Sequence, residues 1–504
     1  MSLKQEKQVI LIDLISTEKI ASNLEISIPK REQYTGSPTA LRDPIALEYI
    51  ASYLENHGFN TRILLKQILS EDEIVDIIKK NNDLIAICLS LHSTYLVPDC
   101  LSIAKKIKQF DTGIPIIVGG YHPTGDAAIV NDENIDFAVV GEGEKTSLEL
   151  LQFLMQEESN SNKIESIEGI SYINSKKRLV INKPRKRLEY SDLPWPKRNI
   201  NILKHCHPGP LSYPPIGNVA QIAYSRGCPF SCDFCASPKM WNEKIKFREP
   251  NDVVLEMRSL ILNYNINNFF FCDLSFNASK NHLIEMCKLI TRMKQELCIN
   301  FGSHVMCNIS KIDKDILKFM SEANFLKIDY GIEDILDDTL NKIKSDQNYN
   351  DMLNILKTTN EHGILVRALI MVGYPWESKE TMKRRKELII ELPVDQLRIC
   401  YYVPFPGTKI YDELRPYINV PYEDFSTEVP VIECKNILAH EMKACVTDIL
   451  DKFYSTESYY DHIKNKSNKF PHLKQSYLHY FKYLKSSGKL LDSPYTKLAT
   501  IVSK

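Results

Sequence analysis

Three cysteines, Cys228, Cys232 and Cys235, stand in the run Ser225-Arg226-Gly227-Cys228-Pro229-Phe230-Ser231-Cys232-Asp233-Phe234-Cys235. Their spacing leaves three residues and then two. Thiolates ligate iron–sulfur clusters and structural zinc alike. Three of them can hold three corners of a four-iron cube and leave the fourth iron open to a second molecule. Phe234, between the last two cysteines, is placed to shield an edge of such a cluster. Structural zinc would need a fourth ligand, which the upstream segment His205-Cys206-His207 could offer.

Such a loop must be held by regular elements. From about residue 216, strand-like and helix-like runs alternate. Candidate strands are 218–224, 267–273, 299–305, 326–331, 364–371 and 395–402. Candidate helices are 251–264, 280–297, 313–323, 337–361 and 378–391. Six βα units predict a partial, TIM-like (βα)6 barrel, whose active groups sit at the C-terminal ends of its strands. The cysteine loop follows the first strand directly.

The N-terminal part alternates too. Val9-Ile10-Leu11-Ile12, Leu84-Ile85-Ala86-Ile87-Cys88, Pro115-Ile116-Ile117-Val118 and Asp136-Phe137-Ala138-Val139-Val140 read as buried strands. Asp43-Pro44 predicts a helix cap and first position, with Gly58 as the stop. Glu142 to Gln156 reads as a later helix. The pattern is an α/β, doubly wound (Rossmann-like) domain, which binds ligands at the carboxyl ends of its strands. There stand Gly119-Gly120-Tyr121-His122 and Gly141-Glu142-Gly143-Glu144, where glycines let the backbone approach a bulky ligand. Turns need glycine as well, and His122 alone has no ligand spacing.

Four segments follow. Residues 1–156 form the doubly wound domain. Residues 157–215 form a hairpin near Gly169–Asn182 and an extended linker. Residues 216–415 form the barrel, and 416–504 a mostly helical cap. Substrate selection is expected from the linker and the region after 403. The tyrosines of the last stretch are expected to pack.

The 504 residues are 43% hydrophobic and 25% charged, with net charge −1. No global field favours nucleic acid, and no run is long enough for a membrane span. The start has no export signal, and the 13 cysteines are scattered apart from one cluster, which fits reduced thiols in a cytoplasmic protein.

Cys228 to Cys235 after a barrel strand resembles the signature of radical S-adenosylmethionine enzymes. Phe271-Cys272-Asp273-Leu274-Ser275-Phe276, Gly331-Ile332-Glu333, Gly373-Tyr374-Pro375-Trp376-Glu377 and Pro404-Phe405-Pro406-Gly407-Thr408 match later motifs in order. The resemblance implies a [4Fe-4S] cluster whose open iron chelates S-adenosylmethionine. It implies that Asp273 or Ser275 contacts the methionyl amino group and that Glu333 lies near the same cofactor.

The N-terminal half is similar to the cobalamin-binding domain fused to many of these enzymes. That implies cobalamin contacts from Ser90, Ser93, Thr94, Gly119, Gly120, Tyr121, Gly141, Glu142 and Gly143. The turn Asp13-Leu14-Ile15-Ser16-Thr17-Glu18-Lys19 lacks the histidine that many such domains use as a lower cobalt ligand. The two resemblances cover about residues 8–415.

The implied activity is methylation of an unactivated carbon or phosphorus centre through a 5′-deoxyadenosyl radical and methylcobalamin. A small molecule, peptide or lipid is the expected substrate. A flavodoxin- or ferredoxin-type protein is the expected one-electron reductant. The alternative is radical oxidation, ring formation or rearrangement without methyl transfer. A methylthiotransferase is disfavoured, because residues 1–150 hold only Cys88 and Cys100. A non-enzymatic cobalamin- or zinc-binding module is the remaining alternative.

Overall fold

Short runs rich in Val, Ile and Leu build two separate parallel sheets. The computed structural model describes residues 7–15, 42–81, 83–156, 161–242, 244–343, 347–418, 420–488 and 490–503. The first sheet comprises β1 (Gln8–Asp13), β2 (Asn60–Leu65), β3 (Leu84–Ser90), β4 (Ile116–Gly119), β5 (Phe137–Val139), β6 (Ile170–Ile173) and β7 (Leu179–Ile181), in the order β2-β1-β3-β4-β5-β6-β7. Its first five strands are parallel. On β1, Val9 and Leu11 enter one apolar cluster and Ile10 and Ile12 another. Burial on both faces is why this strand reads as a continuous apolar run.

Two sequence expectations change here. The hairpin β6–β7, expected beside the linker, is the antiparallel edge of this sheet, with Val139 opposite Ile170. Asp43 does not cap the helix Ile45–Glu55; Pro44 holds that position and makes no side-chain cap bond. The Asp43 carboxylate instead accepts from the Gln221 amide and from Arg198. Strand β2 was not foreseen, because as an edge strand it exposes Asn60 and Arg62 and lacks a full apolar run.

The second sheet is the barrel. It runs β15-β14-β13-β12-β11-β8, all parallel. Its strands are β8 (Val219–Ile222), β11 (Asn268–Phe271), β12 (Gly302–Asn308), β13 (Phe325–Glu333), β14 (Leu365–Val372) and β15 (Gln396–Tyr401). Between β8 and β11, β9 (Ser225–Arg226) and β10 (Lys246–Phe247) pair as a small antiparallel ribbon around the cysteine loop. Outward residues such as Val305, Ile328, Val366, Ala368 and Ile399 join one apolar cluster with the surrounding helices. The expected helix 337–361 is two helices, Asp337–Lys342 and Tyr349–Glu361. Asn348 caps the second by accepting from the Asp351 amide.

The last four helices are Ala439–Phe453, Glu457–Lys469, Lys474–Ser486 and Asp492–Ser503. Their polar anchor is Asp395, just before β15. Its carboxylate takes Lys466 Nζ at 2.5 Å, the Tyr477 hydroxyl at 2.5 Å and the Val366 amide at 2.6 Å. The proline-rich segment runs along the same end. Tyr213 O crosses over Gly302, and Lys327 Nζ donates to Leu211 O. This is the N-terminal end of the barrel, opposite the cysteine loop. Residues 208–214 and helices Glu457–Lys469 and Lys474–Ser486 close this far end. Their tyrosines pack, with Tyr454 and Tyr480 joined hydroxyl to hydroxyl at 2.7 Å.

The charged neighbours of Asp395 hold its carboxyl well below the usual range. That stability is present above the unfolded carboxylate pKa and lost as pH falls through the folded one. Lys466→Ala leaves this buried carboxylate without its cation. It is expected to cost about 3–5 kcal/mol, read as a lower urea midpoint at pH 7. The deficit should shrink below about pH 4 as the carboxylate protonates.

Candidate functional site

The carboxyl ends of both sheets face each other. The helix Tyr121–Gly125, which follows β4, meets the helix Ser237–Trp241, which follows the cysteines. Tyr121 Oη accepts from Trp241 Nε1 at 2.9 Å, and Thr124 lies against Met240 Sδ. A Cβ on Gly125 would stand 2.0 Å from Pro406 O, so only glycine lets the loop after β15 pass. Residues 403–437 cross this seam. Lys409 reaches Asp233, and Tyr422 sits edge-on to His122 at 5.7 Å.

The cysteine loop leaves β9 at Gly227, where a Cβ would meet Lys244 O at 1.9 Å. Cys232 is exposed, and Cys228 and Cys235 are half-buried. Burial raises the Cys228 thiol. Among the described residues no three His, Cys, Asp or Glu side chains converge on one point. Cys206 lies on the other side, buried beside Val219 at the start of β8, with its carbonyl taking the Val219 amide. The His205-Cys206-His207 alternative therefore sits at the wrong end of the strand.

Asp273 is buried and its oxygens are taken. Oδ1 accepts from the Ser225 amide and hydroxyl, and Oδ2 from the Tyr224 amide at 3.3 Å. Burial still raises it to about 6. It pins the end of β8 to the end of β11. It caps no helix, because Ser279 precedes the helix Lys280–Leu297. Ser275 differs: its hydroxyl is buried with no hydrogen-bond partner among the described residues. Glu333 ends β13 at φ +63°, in the left-handed region, where the strand register shifts. No protein group pairs with its carboxylate among the described residues, and burial pushes it to about 7. A strained non-glycine residue with an unpaired acid is the profile of a ligand contact. Phe234 packs with Tyr402 at 6.1 Å, in a cluster with Tyr374 and Trp376. Glu377 turns inward, to the Gly373 amide and the buried Arg385.

The predicted cobalamin contacts divide. Gly141 (φ +89°) has nothing within 4 Å of where a Cβ would stand, which leaves room for a ligand. Ser90 and Ser93 are half-buried at the end of β3, and the Ser93 side chain makes no cap bond. Thr94 is buried with Oγ1 3.1 Å from His122 Nδ1. Gly119 lies beside Val139, Gly120 backs onto Leu91 O, and Gly143 onto Ile50. Glu142 accepts from the Leu188 amide at 2.9 Å and lies 3.4 Å from Arg226. Arg226 also takes Glu144 at 2.7 Å and stacks on Tyr49. Arg226, just before the cysteines, thus fastens their loop to the first domain; lone charged side chains carry no sequence signal for such a pairing. Of the turn without histidine, Ser16 to Lys19 lie outside the described residues. Cys88 and Cys100 are buried in different apolar clusters, on opposite faces of the first sheet.

A doubly wound domain and an open βα barrel thus meet at their strand ends around a loop of three cysteines. Residues 36–151 match the B12 binding domain and residues 222–389 the Radical SAM superfamily. An uncharacterized methyltransferase of Pyrococcus horikoshii is 24% identical over 82% of this chain and 87% of its own. An anaerobic magnesium-protoporphyrin IX monomethyl ester cyclase of Rubrivivax gelatinosus is 23% identical over 77% of this chain and 70% of its own. The fold matches the methyltransferase TsrM of Kitasatospora setae, solved with cobalamin and a [4Fe-4S] cluster, at a TM-score of 0.69. That match covers 95% of this chain and 100% of that one at 16% identity. The chain thus carries a B12-binding domain ahead of a Radical SAM domain. Its cofactors are a [4Fe-4S] cluster, S-adenosylmethionine and cobalamin. Among the described residues no helix is long and apolar enough to cross a membrane.

Arg226→Gln leaves the buried Glu144 without a guanidinium and Glu142 with Arg187 alone, at 3.9 Å. We expect a loss of about 3 kcal/mol, with faster alkylation of Cys228, Cys232 and Cys235 in the metal-free protein. An unchanged alkylation rate would mean that the loop is held by other contacts.

Proposed function

We propose that the protein methylates an unactivated carbon or phosphorus centre of a small molecule, with Cys228, Cys232 and Cys235 holding the cluster. The observation that carries this reading is the apposition of the two strand ends, with the cysteine loop and Gly141 on the same seam. When bound, the cluster supplies the electron that cleaves S-adenosylmethionine, and cobalamin carries the methyl group. The unpaired Ser275 hydroxyl and Glu333 carboxylate take polar groups of S-adenosylmethionine. Asp273 acts through Ser225, by fixing where the loop begins. Phe234, with Tyr374 and Tyr402, keeps water from the cluster edge. Gly141, Ser90 and Ser93 form the cobalamin face. Tyr121 and Thr94, with Gly119, Gly120, Glu142 and Gly143, shape that face from behind. Residues 403–437, which cross the seam, line the substrate entrance. The external reductant is of flavodoxin or ferredoxin type and the setting is the cytoplasm. The methyltransferase relatives support this reading. The cyclase relative of similar identity supports a second one, radical ring formation without methyl transfer.

Anaerobic reconstitution of the full chain should load about four irons and four sulfides. Cys228→Ala, Cys232→Ala and Cys235→Ala should each lose the brown chromophore. With S-adenosylmethionine labelled in its methyl group and a small-molecule extract, label should move into a product. Formation of 5′-deoxyadenosine and an unlabelled product would select ring formation. A wild-type protein that takes up no iron would sink both.

A further inference from the structure

Halfway down the barrel lumen lies a belt of charge. Side chains alternate along a strand, and the outward set is apolar. The inward set includes His304 on β12, Lys327 and Asp329 on β13, Arg367 on β14 and Arg398 on β15. Register places His304 beside Lys327, Asp329 beside Arg367, and Arg398 beside Leu369. Arg42 enters from below and stacks on Phe270 at 3.5 Å.

Among the described residues the belt is incompletely paired. Arg367 bonds Asp329 through one amino group, while its Nε is buried without a partner. Asp329 Oδ2 lies 2.8 Å from His304 Nε2, and Oδ1 has no partner. Arg42 Nη1 is likewise buried and unpaired. Arg398 donates to Glu428 at the open edge of the barrel, and its side chain is 44% exposed. Burial holds His304 neutral down to about pH 3 and lowers Lys327 to about 7. Three guanidiniums, always charged, face Asp329 and Glu428, with Lys327 in addition and Asp43, which Arg198 also claims, beside Arg42. A surplus of charge in a partly dry lumen calls for a counter-charge.

We propose that this belt receives an oxyanion of the substrate, a carboxylate or a phosphate-type group. Arg398 is the first contact, and Arg367, oriented by Asp329, the second. Guanidinium forks suit such groups through two parallel hydrogen bonds. Three residues separate Arg398 from the end of β15, roughly 10 Å of strand. The substrate then carries its anion about that far from its reacting atom. This rests on the reading that the chemistry occurs at the strand ends.

The test uses the full-length reconstituted protein with inorganic phosphate and carbon-13-labelled acetate as probes. Binding is read as phosphorus-31 or carbon-13 line broadening over a chloride baseline of equal ionic strength. We expect one probe to bind, which names the anion class. Arg398→Gln should weaken that binding at least ten-fold, with iron content and circular dichroism unchanged. Glu428→Gln, which frees Arg398, should tighten it several-fold and serves if Arg398→Gln fails to fold. The proposal falls if neither probe exceeds the chloride baseline. It also falls if a folded Arg398→Gln binds as the wild type does, or if Glu428→Gln leaves affinity unchanged. Anion binding needs no radical chemistry. Loss of the radical reading would show as absent iron, and loss of this proposal as absent binding in an iron-loaded protein.

Discussion

Arg198 is buried where the two domains meet, and the apposition of their strand ends depends on it. Its guanidinium donates to Asp43 and Glu48 of the first domain, to Glu256 of the barrel, and to Gln221 O on β8. Arg248 extends the knot to Glu256, Ala223 O and the Tyr49 hydroxyl. Burial pushes Glu48 up to about 8 against the pull of Arg198. Three carboxylates here face two guanidiniums. Breaking such a knot by removing one member strands a buried charge. Its geometry therefore fixes one relative position of the two sheets more firmly than an apolar contact would.

That position sets the chemistry. Both folds bind ligands at their carboxyl strand ends, so docking these ends together places two ligands in one seam. Arg226 and Asp273 then fix the cysteine loop from opposite sides, one toward the first domain and one toward β11. Glycines at 125 and 227 allow backbone to cross backbone at the seam. The far end of the barrel is sealed separately, by Asp395 and the helices that converge on it.

Much of this was legible from local pattern. The six barrel strands and the buried strands of the first domain follow apolar runs of the right length, since a strand buried on both faces shows no polar alternation. The cysteine triplet carried its own chemistry. What escaped was decided by partners distant in sequence. Asp43 has the type and place of a helix cap, but Gln221 and Arg198 claim it. Asp273 looked like a cofactor contact, and its lone pairs go to Ser225 and Tyr224. The exposed start of β2 read as irregular because edge strands bury little, and the hairpin near Gly169–Asn182 gave no local sign that it joins the first sheet.

The sequence by itself determined the two α/β units, their order, and a three-thiolate loop after the first barrel strand. These depend on residue type and spacing along a few turns or strands. Only the tertiary structure decided which acids are free and which are tied. Among the described residues Glu333 and Ser275 are left unpaired at the seam, whereas Asp273 and Glu142 are held by protein groups. It also decided that the C-terminal helices close the end of the barrel away from the cysteines. Both outcomes follow from long-range pairing of buried charge, since which partner is near depends on how the sheets pack.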